Sequence, residues 1–334
     1  MKAVFKIAIC LLMGLTYGQS IERQVIASTG NTLSNSSVIM DFTLGEVAIT
    51  TVTDGTTTLS QGFHQGNVVL SIKINPIVFL QGAALNPNVG EENIMRDDLR
   101  ELDVPTTSPY NDALTCDISV LTDGGTSGTG LPEDNLVDWV FVELRDETTN
   151  TLVVASQSAL LQRDGDVVDV DGISDLSFEL PMGNYYVAVK HRNHLGIMTS
   201  TAIALSNSTT QIDFTDANNQ ITFGANAQTN FGMPAGVVAM WSGNVNGDAV
   251  IQYSGTNPDS PSILSEVLND AGNFLNFPTY IVNGYNIHDV NMDGNTQYSG
   301  TNPDTPYILQ NVLAHPGNFL NFSTYQIQEQ LPEN

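Results

Sequence analysis

The chain has 334 residues, and its 36 Asp and Glu against 10 Lys and Arg give a formal net charge of −26. So acidic a surface argues against nucleic acid and anionic membrane as partners, because both attract basic patches. A polyanionic polysaccharide would also be repelled, unless divalent cations bridge it to the protein.

The N-terminus, "MKAVFKIAICLLMGLTYGQS", places two lysines before and within an apolar run that stops at small and polar residues. This pattern predicts a signal peptide over residues 1–18, cut near Gly18. The run is shorter than the roughly 20 apolar residues of a membrane anchor. One cysteine, Cys116, then remains, so an intramolecular disulfide is excluded and a buried thiol is expected.

Residues 19–75 contain alternating runs such as "SSVIMDFTLGEVAITTV", separated by turn residues in "STGNT" and "DGTTT". Alternation broken by turns is typical of hairpins, so we predict an N-terminal β segment.

Residues 76–235 continue with longer strand-like runs, including "VDWVFVELRD" and "TLVVASQSALLQRDG". The one helical candidate there is "EENIMRDDLREL", which ends before Pro105. Many strands joined by Gly, Asn and Asp turns predict a mainly β fold, an antiparallel sandwich. "LPMGNYYVAVKHRNH" resembles the Gly-x-Tyr strand of transthyretin-like and immunoglobulin-like modules.

Residues 240–330 contain an internal repeat, because "QYSGTNPD" at 252–259 recurs unchanged at 297–304, and "GNFLNF" at 272–277 recurs at 317–322. Each copy runs from a polar loop into a helical pattern, "SPSILSEVLND" or "TPYILQNVLAH". We expect Pro261 and Pro306 in the first turn, with Ser260 and Thr305 as N-caps. The predicted apolar faces comprise Ile263, Leu264, Val267 and Leu268, and Ile308, Leu309, Val312 and Leu313.

The loop before each helix carries oxygen ligands at alternating positions. Calcium takes six to eight oxygens, and a calcium loop supplies them from positions 1, 3, 5 and the carbonyl of 7, with glycine at 6. The second copy has Gly294 at position 6, whereas the first has Ala249, so the second is the better candidate. The candidate ligands are Asp289, Asn291, Asp293 and Asn295 in the second copy, and Asn244, Asn246, Asp248 and Val250 in the first.

Position 12, where a carboxylate normally closes the shell, is Gly255 in the first copy and Gly300 in the second. The nearest downstream acids are Asp259 and Asp304. We expect a longer loop to bring these two aspartates to the ion. The alternative is that they stabilise the helix N-termini through the helix dipole, and both roles are compatible. The pattern predicts one or two structural calcium ions.

The tandem loops, each followed by a helix, resemble the calcium loops of dockerin modules, which implies docking to a cohesin-type partner. The longer stretch from about residue 76 onward resembles haemagglutinin-like modules of secreted flavobacterial proteins of the Bacteroidetes. That resemblance rests on "VDWVFVELRD", "SALLQRDGDVVDVDG", "YYVAVKHRNHLGIM" and the "DVNMDG" repeat, in that order. It implies a secreted or cell-surface protein.

Two other segments are candidates for chemistry. "LQRDGDVVDVDGISD" brings four acids together, which suggests either glycosidase carboxylates, a further calcium site, or a hairpin with solvated acids. His191 and His194 are three apart on a presumed strand, so we expect them on opposite faces and not as co-ligands. No G-x-S-x-G, H-E-x-x-H or phosphate-loop motif is present in the sequence. The four acids are Asp164, Asp166, Asp169 and Asp171.

Aromatic residues are candidates for sugar stacking. We expect Trp139 to pack inside a strand, whereas Trp241 lies just before the first loop. Tyr253 and Tyr298 recur in the repeat, and they either plug its core or line a surface.

The first functional hypothesis is a non-enzymatic, secreted or cell-surface binding protein that is stabilised by calcium and attaches to polysaccharide or to another surface protein. The alternatives are an accessory polysaccharide-degrading enzyme and a dockerin-like assembly component. The chain shows no additional C-terminal β module after the second repeat, so residence in the periplasm stays open.

Overall fold

The computed structural model describes residues 71–100, 103–122 and 132–332, together with the backbone of four short strands between residues 29 and 60. The chain divides into two compact units, Met1–Val68 and Val69–Asn334. The predicted signal peptide lies outside the described residues. None of the helices in the described part of the chain has the length and apolar character that a membrane crossing requires.

In the first unit, β1 (Thr29–Ser34) pairs antiparallel with β2 (Ile39–Leu44), and β3 (Thr51–Thr53) pairs antiparallel with β4 (Thr58–Ser60). The prediction of an N-terminal β segment is therefore confirmed for these strands.

The second unit is built on two sheets that share one core. The larger has the strand order β11-β10-β6-β7-β8, with β12 also paired to β10, and the smaller has the order β13-β5-β9. All of these pairs are antiparallel except β5 with β13, which is parallel. The strands are β5 (Ile72–Ile77), β6 (Leu136–Asp146), β7 (Val153–Gln162), β8 (Val167–Val168), β9 (Leu176–Phe178), β10 (Gly183–Lys190), β11 (Ile197–Met198), β12 (Ile203–Leu205) and β13 (Thr210–Asp213).

The central strand β6 explains why the two sheets hold together. Its residues are almost all buried, and Trp139 is fully buried inside the strand as predicted. Ile74 of β5 and Leu176 of β9 belong to the same hydrophobic cluster as Trp139 and Val140. Side chains from both sheets thus close one core, and the predicted mainly β sandwich is confirmed.

One further ladder, a 3₁₀ turn and two short helices complete the described part of this unit before the repeat. β14 (Gln228–Thr229) pairs with β15 (Ala239–Met240), and a 3₁₀ turn covers Pro132–Asp134. The helices are α1 (Gln81–Ala84) and α2 (Ile118–Thr122).

The helix predicted for "EENIMRDDLREL" is wrong for its described part, residues 91–100, which forms turns. The main-chain N–H groups of Met95 and Arg96 donate to the carbonyls of Arg163 and Ala83 rather than to residues one turn earlier. Tertiary partners therefore satisfy this backbone in place of a helix.

The repeat contains α3 (Ser260–Asn269) and α4 (Thr305–Ala314), as predicted. Ile263 and Val267 of α3, and Ile308 and Val312 of α4, are fully buried, whereas the other predicted apolar positions are partly exposed. The predicted N-caps are wrong. The hydroxyl groups of Ser260 and Thr305 donate to the carbonyls of Tyr253 and Tyr298, and Asp259 and Asp304 occupy the cap positions.

The two copies of the repeat are joined by exchanged strands. β16 (Val250–Gln252) of the first loop pairs with β19 (Gln326–Gln328), which follows α4. β18 (Asn295–Thr296) of the second loop pairs with β17 (Val282–Asn283), which follows α3. Each loop is therefore held by the strand that follows the other copy's helix. Tyr253 and Tyr298 pack, partly buried, against the core of this repeat, and Trp241 is fully buried in it.

Candidate metal centre

In the second loop, Asp289–Asn295, main-chain N–H groups of the loop donate hydrogen bonds to the side chains at positions 1, 3 and 5. Asp289 is fully buried, and its Oδ2 accepts a hydrogen bond from the Gly294 N–H at 2.9 Å. Asn291 Oδ1 accepts from the Asp293 N–H at 3.2 Å, and Asp293 Oδ1 accepts from the Asn295 N–H at 2.9 Å. The predicted ligand side chains of this copy thus share one tight turn.

Asp304 returns to this loop, as the sequence predicted. It is fully buried, its Oδ1 accepts from the Val290 N–H at 2.7 Å, and its Oδ2 accepts from the Gln297 N–H at 2.8 Å. The Asp304 N–H in turn donates to the Gln297 carbonyl at 2.8 Å. Oδ1 also accepts a long hydrogen bond from the Asn291 N–H at 3.4 Å. Because a carboxylate oxygen has two acceptor sites, these bonds organise the loop and leave capacity for a cation on Oδ2.

The buried carboxylates lie close enough to repel one another. Burial, opposed by Arg192 and reinforced by Asp293, raises the pKa of Asp289 to about 6. Burial, followed by the nearby Asp289, raises the pKa of Asp304 well above its usual range. A divalent cation between these acids would remove the repulsion, so their chemistry fits calcium.

The first loop, Asn244–Val250, repeats this arrangement with fewer charges. Asp259 is fully buried, its Oδ1 accepts from the Val245 N–H at 2.9 Å, and its Oδ2 accepts from the Gln252 N–H at 2.8 Å. Burial raises the pKa of Asp259 to about 7. Asn244 Oδ1, at position 1, is buried and has no hydrogen-bond partner among the described residues. An unpaired buried carbonyl oxygen is costly, and a cation would satisfy it.

Glycine at position 12 has a steric reason. Gly300 has a φ of +142°, and a Cβ there would lie 2.4 Å from Nε2 of Gln297. Gly255 has a φ of +137°, and its Cβ would lie 2.5 Å from Nε2 of Gln252. The chain therefore passes position 12 without a side chain, and Asp259 and Asp304 supply the closing carboxylates further on.

Both loops adopt the same backbone, but each places a non-glycine residue at one strained position. At position 4, Met292 has a φ of +56° where the first copy has Gly247. At position 6, Ala249 has a φ of +61° where the second copy has Gly294. A left-handed conformation costs an L-residue roughly 1–2 kcal/mol, so the loop shape is maintained in both copies against local preference.

The sandwich holds the second loop by its main-chain carbonyls. Asn193, which is fully buried, donates through Nδ2 to the carbonyls of Ile287 at 3.1 Å and Asp289 at 2.6 Å. Arg96 donates to the Asn291 carbonyl at 2.5 Å, and Arg192 donates to that of Asn286. The first loop is held through Asn193 as well, because its carbonyl accepts from the N–H groups of residues 243 and 244.

Several of these residues were missed in the sequence analysis. Asn302 donates to Asp293 Oδ2 at 2.5 Å, and Asn257 donates to Asp248 Oδ2. Gln297 Oε1 accepts from the Asn302 N–H at 3.2 Å. Their presence in the unchanged "QYSGTNPD" was the available signal. Nothing in the sequence connects Asn193 or Arg96 to the loops.

Within the residues that the structure describes, no three His, Cys, Asp or Glu side chains converge as a metal-binding group. The carboxylates of Asp289, Asp293 and Asp304 therefore do not already form a three-acid cluster. A cation at the second loop would have to draw them closer, and it would depend on amide and main-chain carbonyl oxygens beside them. Calcium accepts such mixed oxygen shells, whereas zinc requires nitrogen or sulfur ligands in most sites.

The prediction that His191 and His194 lie on opposite faces is wrong. Strand β10 ends at Lys190, and the chain then turns so that His191 Nδ1 and His194 Nδ1 are 2.9 Å apart. His191 Nε2 donates to Asp138 Oδ2 at 3.1 Å, and the Gly82 N–H donates to His194 Nε2 at 3.0 Å. Burial lowers the pKa of both histidines. They form a neutral buried chain of hydrogen bonds.

Asp138 anchors that chain of hydrogen bonds. Burial alone would raise its pKa, but Arg192 and His191 hold the pKa of Asp138 at about 2. Arg192 Nε donates to Asp138 Oδ2 at 3.0 Å, and the hydroxyl of Tyr285, from the repeat, donates to Asp138 Oδ1 at 2.6 Å. This network therefore links the sandwich to the repeat by charge-assisted hydrogen bonds.

The acids of "LQRDGDVVDVDGISD" lie at the turn between β7 and β8 and in the loop that follows. The predicted hairpin is confirmed, because β7 pairs antiparallel with β8, but Asp164 and Asp166 are partly buried rather than solvated. Burial raises the pKa of Asp164 to about 6 and also raises that of Asp166. The carboxylates of Asp169 and Asp171 accept hydrogen bonds from nearby main-chain N–H groups. Cys116 is buried, as expected.

No family model matches the chain, and no curated protein matches its sequence. One solved structure with some likeness is a chain in the crystal structure of a type II cohesin–X-dockerin complex from Acetivibrio cellulolyticus, an N-terminal interface mutant. Its sequence identity is 14%, the match covers 72% of this chain and 92% of that chain, and the TM-score is 0.28. A likeness at that level carries no argument about function.

Proposed function

We propose that this chain is a secreted, non-enzymatic binding protein whose C-terminal repeat is stabilised by calcium. The observation that carries the calcium proposal is the burial of Asp289 beside Asp304 at the second loop, with the unpaired Asn244 oxygen at the equivalent place in the first. Calcium would neutralise the clustered carboxylates there. The ligands would be Asp289, Asn291, Asp293, Asp304 and the Asn295 carbonyl, and Asn244, Asn246, Asp248, Asp259 and the Val250 carbonyl.

Thermal unfolding tests this proposal directly. The full chain is expected to melt several degrees higher in millimolar calcium than in chelator, because a ligand that binds only the folded state stabilises it. Magnesium at the same concentration serves as the control, since it demands a smaller octahedral shell. Equal melting temperatures in calcium and in chelator would refute the calcium sites.

The partner class follows from chemistry and from location. The acidic surface disfavours anionic polymers as partners. The proposed partner is therefore a polysaccharide that is not itself anionic, or another surface protein, outside the cell or in the periplasm. Support for a surface role comes from the predicted signal peptide and from the resemblance to haemagglutinin-like flavobacterial proteins, which stays a prediction. A glycan array, run with and without chelator, separates sugar binding from a dockerin-like role, in which the isolated chain would bind a protein partner and no glycan.

A second candidate function is an accessory polysaccharide-degrading enzyme. The raised pKa of Asp164 favours it, because a general acid needs to stay protonated near neutral pH. Release of reducing sugar from algal or plant polysaccharides, lost in Asp164→Asn and Asp166→Asn, is the outcome that this candidate requires. Absence of release from the intact chain excludes it in favour of the binding protein.

A further inference from the structure

A cavity of about 570 Å³ opens on the face of the repeat that follows α4. Three glutamines from the last strand and its continuation line it, together with an asparagine, a histidine and a tyrosine. Gln326 and Gln328 alternate with the buried Ile327 on β19, so both side chains lie on the exposed face of that strand. The lining residues that carry the argument are Gln326, Gln328, Gln330, Asn226, His315 and Tyr325.

The cavity carries no formal charge, although the chain as a whole is strongly acidic. Among the described residues that line it, none is an Asp, Glu, Lys or Arg. The acid between two of the glutamines, Glu329, is directed elsewhere, because its Oε1 accepts a hydrogen bond from the Gly196 N–H at 2.5 Å. An uncharged cavity on a chain of net charge −26 favours a ligand that is itself neutral and polar.

The polar groups of the cavity are partly fixed and partly free. Gln330 is fixed, since its Oε1 accepts from the Ala225 N–H at 3.3 Å and its Nε2 donates to the Gln328 carbonyl at 3.0 Å. The side-chain amides of Gln326, Gln328 and Asn226 have no hydrogen-bond partner in the described part of the chain. Each free amide offers two donors and one acceptor oxygen, which matches the mixed donor and acceptor character of sugar hydroxyl groups.

One wall of the cavity adds aromatic rings to these amides. His315 and Tyr325 have ring centroids 5.1 Å apart, and His315 also packs 5.3 Å from Trp241. The Gly317 N–H donates to His315 Nδ1 at 3.0 Å, so the neutral ring carries its hydrogen on Nε2 as a further donor. Burial lowers the pKa of His315, which keeps the ring neutral. The first copy keeps a tyrosine, Tyr280, but has Asp270 in place of His315, so the pair of rings is specific to the second copy.

We infer that this amide-lined cavity is a binding site for a neutral oligosaccharide. Free amides would pair with hydroxyl groups, and the ring of Tyr325 would pack against the apolar face of a pyranose. A lipid or an aromatic ligand fits less well, because amides dominate the lining. The inference rests on the proposed role as a binding protein, but it does not depend on the calcium sites.

The test is calorimetric titration of the full chain with neutral hexasaccharides derived from laminarin, cellulose, mannan, xylan and amylose, in saturating calcium. We expect at least one of them to bind, and alginate and polygalacturonate hexasaccharides not to bind. The substitution Gln328→Glu is expected to lower the affinity for the bound sugar by about tenfold or more, because it replaces an amide donor by a carboxylate. The matched control is Gln211→Glu, on an exposed glutamine of β13, and it should leave the affinity unchanged.

Four results would overturn the inference: no binding of any neutral hexasaccharide, equal binding of the uronate oligosaccharides, equal affinity of Gln328→Glu and the parent chain, or binding of an extended glutamine-rich peptide in place of the sugars. Failure of the calcium proposal is distinguishable. In that case the melting temperature does not respond to chelator, while sugar binding and its loss in Gln328→Glu persist.

Discussion

The two loops of the repeat have one backbone but different surroundings. In the second loop Asp289, Asn291 and Met292 are almost completely buried, and Met292 belongs to the core of the sandwich. In the first loop the residue that corresponds to Met292 is Gly247, which is exposed and would have no neighbour within 4 Å of an added Cβ. The second loop thus packs against the sandwich, whereas position 4 of the first loop lies at the surface.

The stronger calcium motif and the tighter packing coincide in one copy. The carboxylate at position 1, the glycine at position 6 and the buried methionine at position 4 all occur in the second loop. The first loop has an amide, a strained alanine and an exposed glycine at these places. We therefore expect the second loop to dominate both folding stability and calcium affinity, and the following four substitutions test that expectation.

Replacing Met292 with alanine should have the largest effect. Removing a fully buried Met side chain from a packed core costs about 3 kcal/mol of unfolding free energy. Urea unfolding of the variant in saturating calcium measures the loss. The matched control is Gly247→Ala, which is expected to cost only about 1 kcal/mol, from strain at positive φ. Equal losses in the two variants would mean that the second loop is not docked on the sandwich.

Asn193→Ala is expected to affect the loops unequally. It removes the side-chain hydrogen bonds to the Ile287 and Asp289 carbonyls, which should cost about 2 kcal/mol of unfolding free energy. The main-chain carbonyl of residue 193, which holds the first loop, stays in place. Calcium affinity should therefore fall at the second loop and change little at the first.

Calorimetric titration can separate the loops through single-loop backgrounds. Asp248→Ala removes the position-5 ligand of the first loop and Asp293→Ala removes that of the second, so each background reports mainly on the other loop. An equal loss of affinity in both backgrounds would contradict the assignment of the Asn193 side chain to the second loop.

Asn244→Asp should make the first loop more like the second. It adds a carboxylate at position 1, and greater ligand charge raises calcium affinity, by about tenfold here, or ~1.4 kcal/mol. The effect is read by calorimetry in the Asp293→Ala background. The reciprocal change, Asp289→Asn, should lower the calcium affinity of the second loop in the Asp248→Ala background. An unchanged affinity in Asn244→Asp would show that position 1 does not contact the ion.

Ala249→Gly should have the smallest effect, a gain of about 0.5 kcal/mol. Relief of the left-handed strain at φ +61° stabilises the folded state by roughly 1–2 kcal/mol, and the greater freedom of glycine in the unfolded chain offsets most of that gain. Thermal unfolding measures it. Gly294→Ala is the matched reversal and should destabilise the folded protein. The alanine would be strained at positive φ, and its Cβ would lie 3.1 Å from Asp103 Oδ2. A loss of stability in Ala249→Gly would contradict the strain argument.

Much of the fold and part of the site could be predicted from the sequence. The duplicated "QYSGTNPD" located the repeat, the apolar spacing located α3 and α4, and strand-like runs predicted the mainly β fold. The return of Asp304 to its loop also followed from the absence of an acid at position 12. These features are local, because periodicity and turn residues act over a few neighbouring positions.

The predictions that failed concern residues whose partners are distant in sequence. The "EENIMRDDLREL" segment has a helix-like sequence pattern, but the carbonyls of Arg163 and Ala83 accept hydrogen bonds from two of its main-chain N–H groups. His191 and His194 meet because the chain turns after Lys190, and Asp138, from another strand, accepts a hydrogen bond from His191. Sequence spacing alone does not contain such contacts.

By itself, then, the sequence determined the two loops, the carboxylate and amide side chains that they carry, and the helices behind them, since these depend on residue type and short spacing. Only the tertiary structure decided that the second loop is buried against the sandwich, that Asn193 contacts both loops, and that the glutamines of β19 line an uncharged cavity. The physical reason is that burial and side-chain pairing depend on which distant segments are packed together, and in this chain Asn193 and Asp289 are 96 residues apart.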